Sequence, residues 1–152
     1  MAGFKVMNGA IAMEGQFPWL VQLLFEGVHS CGATLITYRH ALTAAHCTRK
    51  NKCGPRKLSA RKMSIAVGEL KSTMGVEIRV RRTITPGRFG KFWRKKNCIS
   101  SGGDLAIVEL VRPVPSHLIR AGKAEAVCLP HPDDPYPTSL LEASGWGDTG
   151  KG

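Results

Sequence analysis

The chain has 152 residues, enough for one well-buried domain and too few for two complete ones. Its apolar fraction of 43% and charged fraction of 22% are those of a folded globular protein rather than a disordered one, and no apolar run approaches the roughly 18 residues of a membrane span. The net charge of +11 is unevenly placed, because sixteen of the 22 basic residues lie between Arg49 and Lys96, where only Glu69 and Glu77 are acidic. A positive surface of that kind can attract polyanions such as heparin-like glycans, nucleic acid or anionic membranes, or serve only as a solvated face that keeps the chain in solution, and no nucleotide-binding glycine motif or DNA-reading helix accompanies it.

The first five residues, Met1 to Lys5, lack the charged start and the apolar stretch of about 7 to 15 residues that a secretory signal requires. Short apolar runs then recur between Gly and Pro residues without sustained helical periodicity. Trp19 to Phe25, Cys31 to Thr37 and Met63 to Val67 are predicted strands bounded by turn-prone residues. Val76, Ile78 and Val80 alternate with Glu77, Arg79 and Arg81, the pattern of a half-buried strand. Leu105 to Leu110 and Ala124 to Leu129 are further strand candidates, and Leu140 to Ser144 leads into Gly145-Trp146-Gly147. Many short strands at this spacing predict an all-β sandwich or barrel.

Two long connections, Thr48 to Lys62 and Thr85 to Gly103, interrupt these strands, and loops of that length usually carry function or disorder. Three prolines within residues 131 to 138 rule out a central strand there and mark a connection between structural units.

The chemistry concentrates in Leu42-Thr43-Ala44-Ala45-His46-Cys47, which ends sixteen residues after Cys31. An imidazole held beside a disulfide-competent cysteine suits a general base, which must be rigid and still titrate near neutral pH. The five cysteines (31, 47, 53, 98 and 128) include no Cys-x-x-Cys pair, so disulfides fit better than a zinc site. An odd number leaves one cysteine without an internal partner.

The ordered set Phe17-Pro18-Trp19, Cys31-Gly32, Leu35-Ile36, Leu42 to Cys47, Asp104 to Leu110, Cys128-Leu129-Pro130 and Gly145-Trp146-Gly147 resembles the chymotrypsin-like (trypsin family) serine proteases from Val6 onward. The resemblance implies a fold of two antiparallel Greek-key β-barrels with a Ser-His-Asp triad in the cleft between them. On that pattern residues 1–5 precede an activation site, 6–120 form the first barrel, and 121–152 are a linker and the incomplete start of the second.

By the same resemblance His46 is the general base, Asp104 orients it, and Cys31–Cys47 is the disulfide beside the histidine. Such a crosslink stabilises by roughly 3 kcal/mol through the unfolded chain. Cys53 and Cys98, one in each long loop, are expected to bond across the cleft rim, which leaves Cys128 over. Lys5-Val6 resembles an activation junction that exposes Val6 as a new terminus.

The family nucleophile lies in Gly-Asp-Ser-Gly-Gly, a motif these 152 residues do not contain. Ser100-Ser101-Gly102-Gly103 abuts Asp104 and cannot also lie across the imidazole from it, and Ser144 sits where relatives have a barrel strand. The expectation is therefore a fragment of a secreted, disulfide-bonded endopeptidase, inactive alone, that acts on protein or peptide substrates without metal or cofactor. The alternative is a non-catalytic homologue that binds polyanions through Arg56, Lys57, Arg61, Lys62, Arg94, Lys95 and Lys96.

Overall fold

Six antiparallel strands close into a barrel in the computed structural model, which describes residues 10–50, 56–70, 75–86, 103–131, 133–134 and 141–146. The strands are β1 (Leu20–Phe25), β2 (Val28–Thr37), β3 (His40–Thr43), β4 (Met63–Val67), β5 (Val76–Ile84) and β6 (Ala106–Leu110). Around the barrel they run β1-β2-β3-β6-β5-β4, so β4 returns to lie beside β1. That return is the Greek-key connection, and the closure leaves no free sheet edge. The fold is the chymotrypsin-like barrel that the motifs imply.

Local chemistry explains each piece. β1 and β2 are joined by Glu26 and Gly27, both at positive φ (53° and 79°), with Phe25 paired to Val28. Two residues at positive φ make the tight turn whose twist matches antiparallel strands, so β2 begins three residues before the expected Cys31. In β5 the residues alternate between interior and surface until a register shift between Val80 and Arg82, after which Arg81 and Arg82 both face outward. A bulge of this kind inserts one residue and re-aims the side chains beside it.

Val21, Leu23, Leu35, Ile65, Val108 and Leu110 are fully buried and fill the barrel interior from four of the six strands. Leu118, on the single helical turn α1 (Ser116–Arg120), and Ala124 join the same core. Because closure places every strand against two others, interior side chains meet neighbours on all sides.

Two sequence expectations are corrected. Ala124 to Leu129 forms no strand: the Glu125 N–H donates to Pro18 O (3.0 Å) and the Val127 N–H to Leu35 O (2.9 Å), two partners on different segments that build no ladder. Leu141 to Ser144 is likewise irregular, and Leu140 lies outside the described residues. This last segment is held by Trp146, whose indole N–H donates to Leu70 O (2.6 Å). β3, conversely, is a strand that its sequence concealed inside the approach to His46.

On the outer face, Glu109 accepts from Arg81 (3.1 Å) and Arg82 (2.5 Å) while only 6% exposed. The Arg82 hydrogen bond, partly opposed by burial, holds its carboxyl below the ordinary value of 4.5. A carboxyl depressed on folding stabilises the fold above its unfolded value, and that contribution is lost as pH falls through the folded one. Stability from this cluster is therefore complete above pH 4.5 and declines below it. Glu109→Gln is expected to lower the thermal midpoint at pH 7 and to flatten its fall on acidification below 4.5, checked by thermal melts across that range.

Candidate active site

Strand pairing brings the two ends of the site together. β3 and β6 are antiparallel with Thr43 opposite Ala106, so the residues after Thr43 and those before Ala106 leave the barrel at the same rim. His46 lies three residues beyond one and Asp104 two before the other. The Thr43 hydroxyl donates to Gly32 O (2.8 Å), which ties this end of β3 to β2.

Beyond Thr43 the chain makes a single 3-10 turn, Ala45–Thr48, closed by the Cys47 N–H on Ala44 O (3.1 Å) and the Arg49 N–H on His46 O (3.2 Å). The buried Thr48 hydroxyl donates to Ala45 O (2.8 Å), satisfying a carbonyl that the short turn leaves open. Cys47 is joined to Cys31 of β2 with the Cα atoms 6.1 Å apart. His46 is thus fixed by a strand before it and a crosslink after it.

Asp104 is approached through Gly103, whose φ of 78° is a left-handed conformation that side chains disfavour. Its Oδ1 accepts the His46 backbone N–H (2.9 Å), and its Oδ2 lies 2.7 Å from His46 Nδ1. An ionised carboxylate only accepts, so Nδ1 carries the proton, and in the neutral imidazole Nε2 is then the acceptor. The His46 side chain is 22% exposed and that of Asp104 is 14% exposed, so the pair is shielded but reachable. This arrangement is able to take a proton at Nε2 and stabilise the imidazolium that results.

Metal binding finds little support here. Cys31, His46 and Cys47 bring their ligand atoms within 4.8 Å of one another. The two sulfurs are bonded to each other, however, and a metal needs thiolates.

The other expected residues divide. Arg56, Lys57 and Arg61 are exposed, whereas Lys62 is paired with Glu26. Cys128 is an exposed thiol with no disulfide partner among the described residues. Lys5, Val6, Cys53, Cys98, Arg94, Lys95, Lys96 and the Ser100-Ser101 pair lie outside the described residues. Ser144 lines a separate cavity with Phe17, Leu70 and Trp146. Sequence reasoning missed the second Asp104 contact, which goes to a main-chain N–H, and the Glu26–Lys62 pair, which follows from the pairing of Phe25 with Met63.

Comparison with known proteins agrees with this geometry. The family model described as Trypsin matches residues 6–152. Serine protease SP24D of Anopheles gambiae is 33% identical over 146 residues, covering 95% of this chain and 47% of that protein. Transmembrane protease serine 11E of Mus musculus is 31% identical over 144 residues, covering 94% of this chain and 30% of that protein. The chain therefore spans about half or less of the length of these relatives.

Two outcomes follow for the site's anchors. Replacing Cys31 and Cys47 together by Ser is expected to cost about 3 kcal/mol, read from urea denaturation against the oxidised parent. Asp104→Ala leaves two donors of His46 unpaired and is expected to cost about 1–3 kcal/mol in the same assay.

Proposed function

The chain belongs to the trypsin family of serine proteases, and from that membership we propose that His46 and Asp104 are the base and its orienting partner in a Ser-His-Asp endopeptidase. The observation that carries this is the double contact of Asp104 with His46, at the backbone N–H and at Nδ1. In the intact mechanism His46 takes the serine hydroxyl proton at Nε2 and later returns it to the departing amine. Asp104 keeps the proton on Nδ1 throughout and balances the imidazolium charge. The serine belongs to a second barrel, for which residues 121–152 supply the linker and opening and residues 6–120 the first-barrel partner. These 152 residues carry two of the three triad members, His46 and Asp104.

Protein or peptide chains are the substrates, attacked at the amide carbonyl by acyl transfer without a metal or cofactor. The Cys31–Cys47 bond supports an extracellular setting, since disulfides persist where the surroundings oxidise. Cleavage after Lys5 converts the zymogen by exposing Val6.

The alternative reading, a non-catalytic homologue that binds polyanions, has its own observation. Arg56, Lys57 and Arg61 are exposed and have no acidic partner among the described residues. If this is the role, replacing all three by Ala moves elution from heparin to much lower salt. Elution unchanged from the parent contradicts it.

The protease assignment is tested by joining these residues to a serine-bearing second barrel and assaying a chromogenic peptide. His46→Ala is expected to lower kcat by about 10^4-fold to 10^6-fold, and Asp104→Asn by about 10^4-fold. The 152-residue chain by itself should not react with a fluorophosphonate probe. Activity that survives His46→Ala contradicts the assignment.

A further inference from the structure

A cleft of about 800 Å³ opens beside His46, and its charge has no part in the proton transfers described above. The Cys31–Cys47 disulfide, Phe25 and Leu58 give it apolar walls, and Glu26, Lys50 and Lys62 line it with charge. The described lining residues all fall between positions 25 and 62, in the first barrel and the loop that follows β3.

Its charges are unequal in availability. Lys62 is occupied by Glu26. Arg49 sits in the wall at 9% exposure. Lys50 is exposed and has no carboxylate partner among the described residues. Its backbone is held by its own N–H on Arg56 O (3.1 Å), by the bridge between Arg49 and Lys57, and by the Leu58 N–H on Thr48 O (2.8 Å). A free ammonium on a fixed stretch of backbone, above an apolar wall, is a place where a carboxylate gains and a second cation is repelled.

The direction of proton transfer says which part of a substrate passes here. Nδ1 is committed to Asp104, so His46 exchanges protons through Nε2 and returns one to the departing amine. The departing half must therefore lie against the imidazole, where the cleft begins. We propose that Lys50 makes this cleft select substrates with an acidic side chain among the first residues after the cleaved bond. Apolar portions of those residues pack on Phe25 and Leu58. This selectivity rests on the base role of His46 proposed above.

The test is a nuclear magnetic resonance titration of the labelled 152-residue chain with two C-terminally amidated tetrapeptides, Ser-Asp-Leu-Gly and Ser-Lys-Leu-Gly, whose free amino termini mimic the departing amine. The acidic peptide is expected to bind about threefold to tenfold more tightly at low salt, shifting Lys50, Leu58 and the His46 ring. The difference should shrink in about 0.5 M salt, disappear in Lys50→Ala and reverse in Lys50→Glu. Glu26→Gln, which frees Lys62, should enlarge it.

Equal affinities with a shifted His46 ring overturn the charge selection and leave the base role standing. Shifts confined to residues away from the cleft, or no binding of either peptide, overturn the proposal. A sulfated tetrasaccharide that moves the same signals and binds more tightly than the acidic peptide assigns these cations to polyanions instead, which also overturns it.

Discussion

The antiparallel pairing of β3 with β6 is the constraint on which the site depends, because it delivers two residues 58 positions apart to one rim of the barrel. Each strand is pinned on its other side as well, β3 by β2 and β6 by β5. A slip of one residue in either ladder would turn interior side chains outward, so burial of Ala41, Val108 and Leu110 enforces the register. The position of the imidazole is thus set by the hydrophobic core, and the hydrogen bonds to Asp104 refine its orientation.

The refinement has two parts. Asp104 divides its oxygens between a main-chain N–H and the ring, so the carboxylate and the imidazole cannot rotate independently. The disulfide holds the far side of the same 3-10 turn against β2. Together they pre-organise a proton acceptor before any substrate arrives, which is where a base gains over one that must be ordered during reaction. The cleft beside it shares the disulfide as a wall, so the proposed acid selection and the positioning of His46 rest on the same piece of chain.

How much of this was legible in the sequence depended on the range of the signal. The alternation in Val76 to Val80 and the apolar runs of β1 and β4 record local burial and mark their strands directly. β3 has only four residues, two buried and two half-buried, too few to separate from the motif that follows it. Ala124 to Leu129 is apolar because parts of it cover the barrel, and composition does not distinguish a covering segment from a strand whose backbone pairs in a ladder. α1 has only five residues, too few to repeat a helical period of about 3.6 and so reveal one. The contact between His46 and Asp104 had no local signature at all and was visible only through resemblance to a family. Glu26 and Lys62 are 36 positions apart and meet only because β1 pairs with β4.

The central claim is that Asp104 fixes His46 in one tautomer with Nε2 left to accept. Long-range proton–nitrogen correlation spectra of the histidine-labelled chain read this directly in the neutral imidazole. A protonated Nδ1 and an unprotonated Nε2, both reverting to a mixture of tautomers in Asp104→Ala, is the expected result. A proton on Nε2, or a mixture of tautomers already in the parent chain, would contradict it.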